Sequence, residues 1–346
     1  MALSPEPHVL IVRLSAIGDC ILTMPMATAI KRRYPGARIT WVVEKNAASL
    51  LQNHKSIDQL IELPRGWLKS PSTLLKLKRT LRQSKFDVAF DPQSLTKSAL
   101  VAWLSGASRR IGLARPIGRE LAPTLNHVRI EPTFEHVVDR QLEMLSAIGV
   151  RLPEVQFDVP ESLAAKHWVT TWLDQSPLAA GFVVMNPGAT WDSRLWPTAR
   201  FGQLAARIAE ATGLRSLVTW GGARERGLAQ EIVDHSLGQA SMAPETSLPE
   251  LASVLRRAQL YIGSDTGPMH LAAAVGTSCV GLFGTTRPEV SGPYGIGHRA
   301  VQAYYQAGTS RERRSAPNTA MLAITIDMAL EACLSVLKDT PQRAAA

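Results

Sequence analysis

Cysteine is scarce in this chain. Its three thiols, Cys20, Cys279 and Cys333, are odd in number and far apart in 346 residues, with no CxxC pair and no histidines at metal-ligand spacing. Neither a disulfide framework nor a thiolate zinc site is expected, and a reducing compartment suits this usage. Aromatic residues make up only 6% and charged residues 19%, against 45% hydrophobic. That composition excludes a collagen, a coiled coil and a mostly disordered chain, and the length suggests about two domains. Long apolar runs are missing too. The one long stretch without formal charge, Thr266 to Thr286, holds Gly267, Pro268, His270, Gly276, Gly281 and Gly284, so it reads as loop, buried helix and buried strand rather than a membrane span. Met1 to Val12 carries Pro5, Glu6 and Pro7 and has no basic start, so no signal peptide is expected and the location is read as cytoplasmic. GxGxxG and GxxxxGK[ST] are absent, which counts against a dinucleotide dehydrogenase and a P-loop NTPase.

What the first half lacks is acid. Lys plus Arg number 38 against 29 Asp plus Glu, a net +9. Residues 1–175 hold 23 basic and 16 acidic side chains, net +7, whereas residues 176–346 hold 15 and 13, net +2. Between Leu63 and Phe86 stand Arg65, Lys69, Lys76, Lys78, Arg79, Arg82 and Lys85 with no acidic residue, and a second group is Arg109, Arg110, Arg115 and Arg119. A solvated helix face accounts for part of this, but a window without counter-charge points to an anionic partner. No aromatic interleaving, zinc spacing or recognition-helix pattern accompanies the charge. A membrane surface or phosphorylated lipid therefore fits as well as nucleic acid.

The start of the chain, HVLIVRLSAIGDCILTMPMATAIKRRYPGARITWVVE, runs β-branched strand, small-residue loop, helix and buried strand at Ile39–Val43, which is a βαβ unit. Helices at Leu74–Gln83 and Thr96–Leu104, strands at Asp87–Phe90 and Ile111–Gly112, and a long helix Glu135–Ile148 continue the alternation. A second cycle opens at Phe182–Met185 and repeats the grammar through Ser216–Trp220, Leu260–Ser264 and Ser278–Phe283. Alternating strands and helices imply parallel sheets covered on both faces. The expected class is α/β, with two Rossmann-like doubly wound parallel-sheet domains at 1–160 and 177–330 facing a cleft. Residues 161–176 read as a linker, the helix 320–337 as packing back on the N-terminal domain, and the tail Gln342–Ala346 as frayed.

Ligands of such folds gather at the carboxyl ends of the strands, and the loops there carry the candidates. Ser15-Ala16-Ile17-Gly18-Asp19 follows the first strand; Asp19 is either a first-turn carboxylate favoured by the helix dipole or a chemical group. Asp265-Thr266-Gly267-Pro268-Met269-His270 brings a hydroxyl, a glycine N–H and a helix N-terminus together, which suits a diphosphate. Asp265 would repel phosphate and is better matched to sugar hydroxyls, while His270 is a ligand or a satisfied, half-buried histidine. Asn186-Pro187-Gly188-Ala189-Thr190 and Arg194 offer small residues, a hydroxyl and a fixed cation. Glu225, read in the loop after Ser216–Trp220, can accept from ribose hydroxyls or simply face solvent.

Taken together, VRLSAIGD, DPQSLTKSA, NPGATWDSRLWP, WGGARER, SDTGPMHLAAAVG and LFGTTRPEVSGPYG resemble the ADP-heptose:lipopolysaccharide heptosyltransferase family, in order, over about residues 8–300. The resemblance implies a GT-B fold with the acceptor on the N-terminal domain and the nucleotide sugar on the C-terminal one. It implies Asp19 as catalytic carboxylate and Thr190, Arg194, Glu225, Asp265, Thr266, Gly267 and His270 as donor-binding. Arg13, Lys97 and Arg119 fall on acceptor-side basic positions, and Arg65 and Lys69 join them from the charge map. Arg13 and Arg194 stand where the family often has lysine, and Thr285 follows Gly284 where it often has proline. The segment after Tyr304, with Arg311, Arg313 and Arg314, matches no motif of the family.

The resulting expectation is an inverting glycosyltransferase moving heptose from ADP-heptose to an anionic glycolipid, the inner core of a lipopolysaccharide or lipid A precursor. Peripheral contact with the inner membrane surface is expected, and no nucleic acid, cofactor or metal; no DxD pair occurs in the chain. Two alternatives stand beside it: a related transferase using another nucleotide sugar, and a non-catalytic binder of nucleic acid or anionic polymer.

Overall fold

The computed structural model describes residues 3–339. The chain divides into two compact units, Met1–Pro160 and Glu161–Ala346. The charge follows this division more sharply than it follows the halves, with 22 basic against 14 acidic residues in the first unit, leaving +8, and 16 against 15 in the second, leaving +1.

In the first unit, strands β1 (His8–Val12), β2 (Arg38–Glu44), β3 (Gln59–Leu63), β4 (Val88–Asp91), β5 (Arg109–Leu113) and β6 (Val128–Ile130) form one parallel sheet in the order β3-β2-β1-β4-β5-β6. The central strands read as continuous apolar runs because helices cover both faces. On one face Leu10, Val12, Val42 and Ala89 pack against Leu77 and Leu81 of the helix Pro71–Gln83 and Val101 and Ala102 of the helix Thr96–Leu104. The helix expected at 135–148 is an α-helical turn pair, Val137–Glu143, followed by a tighter 3-10 stretch, Met144–Ile148, that Gly149 ends at φ 80°.

The second unit repeats the design. Strands β7 (Phe182–Asn186), β8 (Arg215–Val218), β9 (Ala240–Met242), β10 (Leu260–Ser264), β11 (Cys279–Leu282) and β12 (Arg299–Val301) run parallel in the order β12-β11-β10-β7-β8-β9. Both orders reverse at one point, between β1 and β4 and between β7 and β10, where loops from neighbouring strands part and leave room for a ligand.

Two expectations change. Residues 161–176 are part of the second unit rather than a linker: the helix Leu163–Asp174 packs on the helix Leu248–Arg257, and Glu161 accepts from Ser253 Oγ at 2.8 Å. The Trp-bearing helix that the sequence suggests at 162–173 is present, and its buried Ala165, Val169 and Leu173 make it part of that unit's packing rather than a connection. The helix expected at 320–337 is two, Thr319–Ala323 and Ile326–Asp339, and its apolar stripe, Met321, Ala329, Cys333 and Val336, lies inside the second unit's own core against the helix Thr198–Thr212. Residues 342–346 fall outside the described residues. Among the described residues, no helix is long and apolar enough to cross a membrane.

Candidate functional site

In the first unit the chain leaves β1 through Arg13-Leu14-Ser15-Ala16 and enters the helix Ile17–Arg33. Buried Trp41 on β2 fixes this loop by donating its indole N–H to the Arg13 carbonyl at 3.1 Å, and the Leu14 N–H reaches Gln93 Oε1 at 2.9 Å. Asp19 stands in the first helical turn. Its Oδ2 accepts from the Ala16 N–H at 3.2 Å, as a capping carboxylate does, and its Oδ1 lies 2.7 Å from Arg13 Nη2. Arg13 is almost fully buried; its Nη1 donates to the Pro92 carbonyl at 3.1 Å, and its Nε has no partner among the described residues.

Asp19, with 43% of its side chain exposed, borders a cavity of about 260 Å³ that Arg13, Ser15, Arg119, Arg140 and Gln141 also line. Three arginines and one carboxylate make the cavity cationic. Buried Gln141 leaves its Oε1 without a partner among the described residues. Lys97, expected on the acceptor side, donates to Ser15 Oγ at 2.8 Å and pairs with Glu44 at 3.2 Å, so it braces the loop. Arg65 and Lys69 are exposed after β3 and do not line the cavity.

Sequence reasoning passed over Arg140, Gln141 and Asp91. Asp91 ends β4 fully buried, with Oδ1 accepting from the Ser94 N–H at 2.8 Å and Oδ2 from Asn126 Nδ2 at 3.0 Å. Burial pushes its carboxyl up to about 6 against the pull of these donors. Cys20, behind Asp19, is pushed up to about 12 by burial and stays a neutral thiol.

In the second unit the loops after β7, β8 and β10 meet. Asn186 Nδ2 donates to the Thr219 carbonyl at 3.2 Å, tying the first two together. A β-carbon on Gly188 would sit 2.3 Å from the Glu225 carboxylate, so a larger residue there would displace that carboxylate. Glu225 is not in a loop: the helix begins at Gly222, and its carboxylate accepts from the Gly221 N–H at 2.8 Å in the first turn. Burial against Gly188 raises its carboxyl above the ordinary range. Thr190 is exposed on the loop after β7.

Arg194 donates through Nη1 to the Asp265 carbonyl at 2.9 Å, lies 3.5 Å from Asp265 Oδ2, and stacks 3.9 Å over the Trp191 ring. His270 Nε2 is 3.2 Å from Asp265 Oδ1, and Ser291 Oγ donates to Oδ2 at 3.0 Å. Burial pushes the Asp265 carboxyl up, but His270 and Arg194 outweigh it and hold it below the usual range. This carboxylate, expected to meet sugar hydroxyls, is thus engaged in holding the arginine and the histidine. Thr266 is the N-cap of the helix Gly267–Ala274, whose first N–H groups have no intrahelical partner. The short helix Ser310–Ser315 gives the basic segment a place: Arg313 Nη1 donates to the Thr285 carbonyl at 2.8 Å, and Arg314 lies 5.1 Å over Trp191.

A cation, a hydroxyl and a helix N-terminus at one point of the second sheet suit a phosphate group; a carboxylate in a cationic cavity of the first suits proton removal from a bound hydroxyl. The model of glycosyltransferase family 9 (heptosyltransferase) matches residues 74–320. The chain belongs to glycosyltransferase family 9. Lipopolysaccharide heptosyltransferase 1 of Pseudomonas aeruginosa is 31% identical over 297 residues, 83% of this chain and 81% of that protein. The enzyme of the same name from Escherichia coli K12 is 27% identical, over 86% of this chain and 93% of that one. The solved structure of E. coli heptosyltransferase WaaC with ADP superposes with a TM-score of 0.76 at 26% identity, over 95% of this chain and 99% of that one. A family 9 structure from Veillonella parvula shares the fold with a TM-score of 0.84 at 20% identity. The family 9 member is therefore a glycosyltransferase whose two parallel six-stranded sheets are those of the GT-B fold. Family membership sets aside the reading of its charge as that of a non-catalytic binder.

Proposed function

We propose that this family 9 member transfers heptose from ADP-heptose, with inversion, to the inner core of a lipopolysaccharide precursor, and that Asp19 is the base. The observation that carries the site assignment is the Arg13–Asp19 pair at the border of a cationic cavity. A base must reach its proton and stay ionised, and a carboxylate oriented by a permanent cation meets both conditions. As Asp19 takes the proton from the acceptor hydroxyl, that oxygen attacks the anomeric carbon. The sugar–phosphate C–O bond breaks and its electron pair leaves with ADP. Thr190, Arg194, and Thr266 and Gly267 at the helix start receive the growing diphosphate charge, His270 and Asp265 hold Arg194 in place, and Glu225 accepts from the ribose. Arg119 holds the acidic acceptor, Arg13 orients Asp19 and Lys97 sets the Ser15 loop, whereas Arg65 and Lys69 lie outside the cavity. The acceptor is a glycolipid, which calls for peripheral contact with the inner membrane. Fixed guanidinium charge is read in place of a metal.

One observation favours a second reading, a different nucleotide sugar: Thr285 stands where the family often has proline, beside the Arg313 that distinguishes the basic segment. A panel of ADP-heptose with other ADP-, UDP- and GDP-sugars, each with and without EDTA, separates these. Turnover confined to ADP-heptose and indifferent to EDTA is the expected outcome. Preference for another donor hands the function to the second reading, and loss with EDTA restored by Mg²⁺ sinks the metal-free assignment.

A further inference from the structure

The charge between Leu63 and Phe86 has no internal use. Arg65, Lys69, Lys76, Lys78, Arg79, Arg82 and Lys85 make no ion pair among the described residues, and all but half-buried Lys78 are exposed. Some exposed cations elsewhere in this unit do have partners, as Arg32 has Glu154 and Lys55 has Asp158, but among the described residues no other stretch gathers so many without one. The same stretch exposes large apolar side chains. Gly66, at φ 72°, turns the chain into a 3-10 turn, Trp67–Lys69, whose Trp67 is buried in the core, and this anchored turn holds Leu68 outward with 43% exposure. In the following helix Leu77 and Leu81 face the core, whereas Leu75 is 70% exposed. Helical spacing puts Leu75, Arg79 and Arg82 on one outward stripe.

We propose that this turn and helix are the surface by which the enzyme docks on an anionic lipid bilayer. Two exposed leucines, one on the turn and one on the helix, among cations without ion pairs suit a membrane interface: the apolar side chains enter the acyl boundary while Lys and Arg meet lipid phosphate. Nucleic acid uses the charge but has no use for exposed leucines set apart from aromatic rings, so the pair of features favours lipid. The position in the sheet agrees. The turn leaves the carboxyl end of β3, and the Asp19 loop leaves the carboxyl end of β1 two strands away, roughly 10 Å along the same edge. A bilayer held there presents its headgroup sugars to the edge that bears the base.

The inference rests on the acceptor being a glycolipid, and the test reads membrane binding with neither donor nor acceptor present, so that a wrong acceptor leaves it standing. The full chain is sedimented with phosphatidylglycerol-containing vesicles and with pure phosphatidylcholine vesicles. Wild type is expected to bind the former in a salt-dependent way and not the latter. Leu68→Ser/Leu75→Ser, with charge unchanged, is expected to bind at least about tenfold more weakly. Lys76→Gln/Arg79→Gln/Arg82→Gln is expected to lose about a hundredfold at low salt. Both sets of side chains are exposed, and thermal melts at the wild-type temperature confirm folding. Turnover of a lipid-free core oligosaccharide by the leucine variant is expected to match wild type. Wild type left in the supernatant overturns the proposal, as does a leucine variant that binds vesicles normally. So does equal retention of wild type and leucine variant on DNA at an affinity above that for vesicles.

Discussion

Arg13 joins two loops that leave different strands: Nη2 lies 2.7 Å from Asp19 Oδ1 after β1, and Nη1 donates to the Pro92 carbonyl after β4 at 3.1 Å. One rigid planar group thus spans the point where the sheet order reverses and fixes where the Asp19 carboxylate stands. Lysine keeps the charge but offers a single ammonium, so it can keep Asp19 with less constraint on direction.

Arg13→Met is therefore expected to lower kcat about a hundredfold, because a misplacement of about 1 Å at a reacting group costs that much. Arg13→Lys is expected to stay within about tenfold of wild type, and ADP binding is expected to be unchanged in both, since the proposed nucleotide site is on the other sheet. Steady-state turnover beside ADP titration checks this. A methionine variant with wild-type kcat would remove Arg13 from the role of positioning residue.

Asp91 gives a pH signature. Burial raises its folded carboxyl to about 6, above the ordinary unfolded value near 3.9. A raised acid binds its proton more tightly in the folded state, so its contribution to stability is present below the unfolded value and is lost as pH rises through about 6. Asp91→Asn has no such proton. Urea unfolding of both proteins between about pH 4 and pH 8 is expected to show the stability of wild type relative to the variant falling as pH rises to about 6 and level above it. A difference that is flat with pH, or rises, contradicts the assignment.

The same residue marks where the sequence could be read and where it could not. The strands β1, β4, β7 and β10 are legible because burial on both faces leaves unbroken apolar runs, and the loops that follow them are legible by their small and polar residues. Asp91 looks like the acid that opens such a loop; only the fold places it behind Ser94 and Asn126, the latter 35 residues away. Gln141 and Arg140 sit on a short helix with ordinary surface spacing, and their place in the cavity depends on how that helix meets the β1 and β4 loops. Gly221 and Gly222 read as loop and put Glu225 there, whereas Gly222, at φ 82°, is the first residue of the helix. The charge of Asp265 alone suggests sugar hydroxyls; His270, Ser291 and Arg194 around it are a tertiary fact.

The donor side makes its own prediction. Arg194 is half-buried between Trp191 and Asp265, which fixes the direction of its guanidinium. Arg194→Met is expected to weaken ADP binding about 10–100-fold, the range of one or two lost charge-assisted hydrogen bonds, and to leave the acceptor KM within about threefold. Arg194→Lys, which preserves charge without the planar fork, is expected to fall between. Calorimetric titration of ADP decides this. Undiminished affinity in the methionine variant would place the diphosphate elsewhere.

The last test concerns Asp19, whose capping contact is in the structure and whose role as base is the proposal. The capping contact from the Ala16 N–H at 3.2 Å survives replacement by asparagine, whose amide oxygen still accepts. The variant is therefore expected to fold, to lose about 1 kcal/mol or less of stability from the cap, and to bind ADP as wild type does. Asparagine cannot take a proton from the acceptor hydroxyl. If Asp19 is the base, kcat falls by roughly 10²–10⁴ at unchanged ADP affinity, the span expected for loss of general-base catalysis. Asp19→Glu keeps the proton acceptor but extends it by one methylene past Arg13, and is expected to recover part of the loss. Turnover, thermal melt and ADP titration of the two variants, measured side by side, separate the roles. A folded asparagine variant retaining more than about a tenth of wild-type kcat would show that the carboxylate at the border of the cavity only caps its helix.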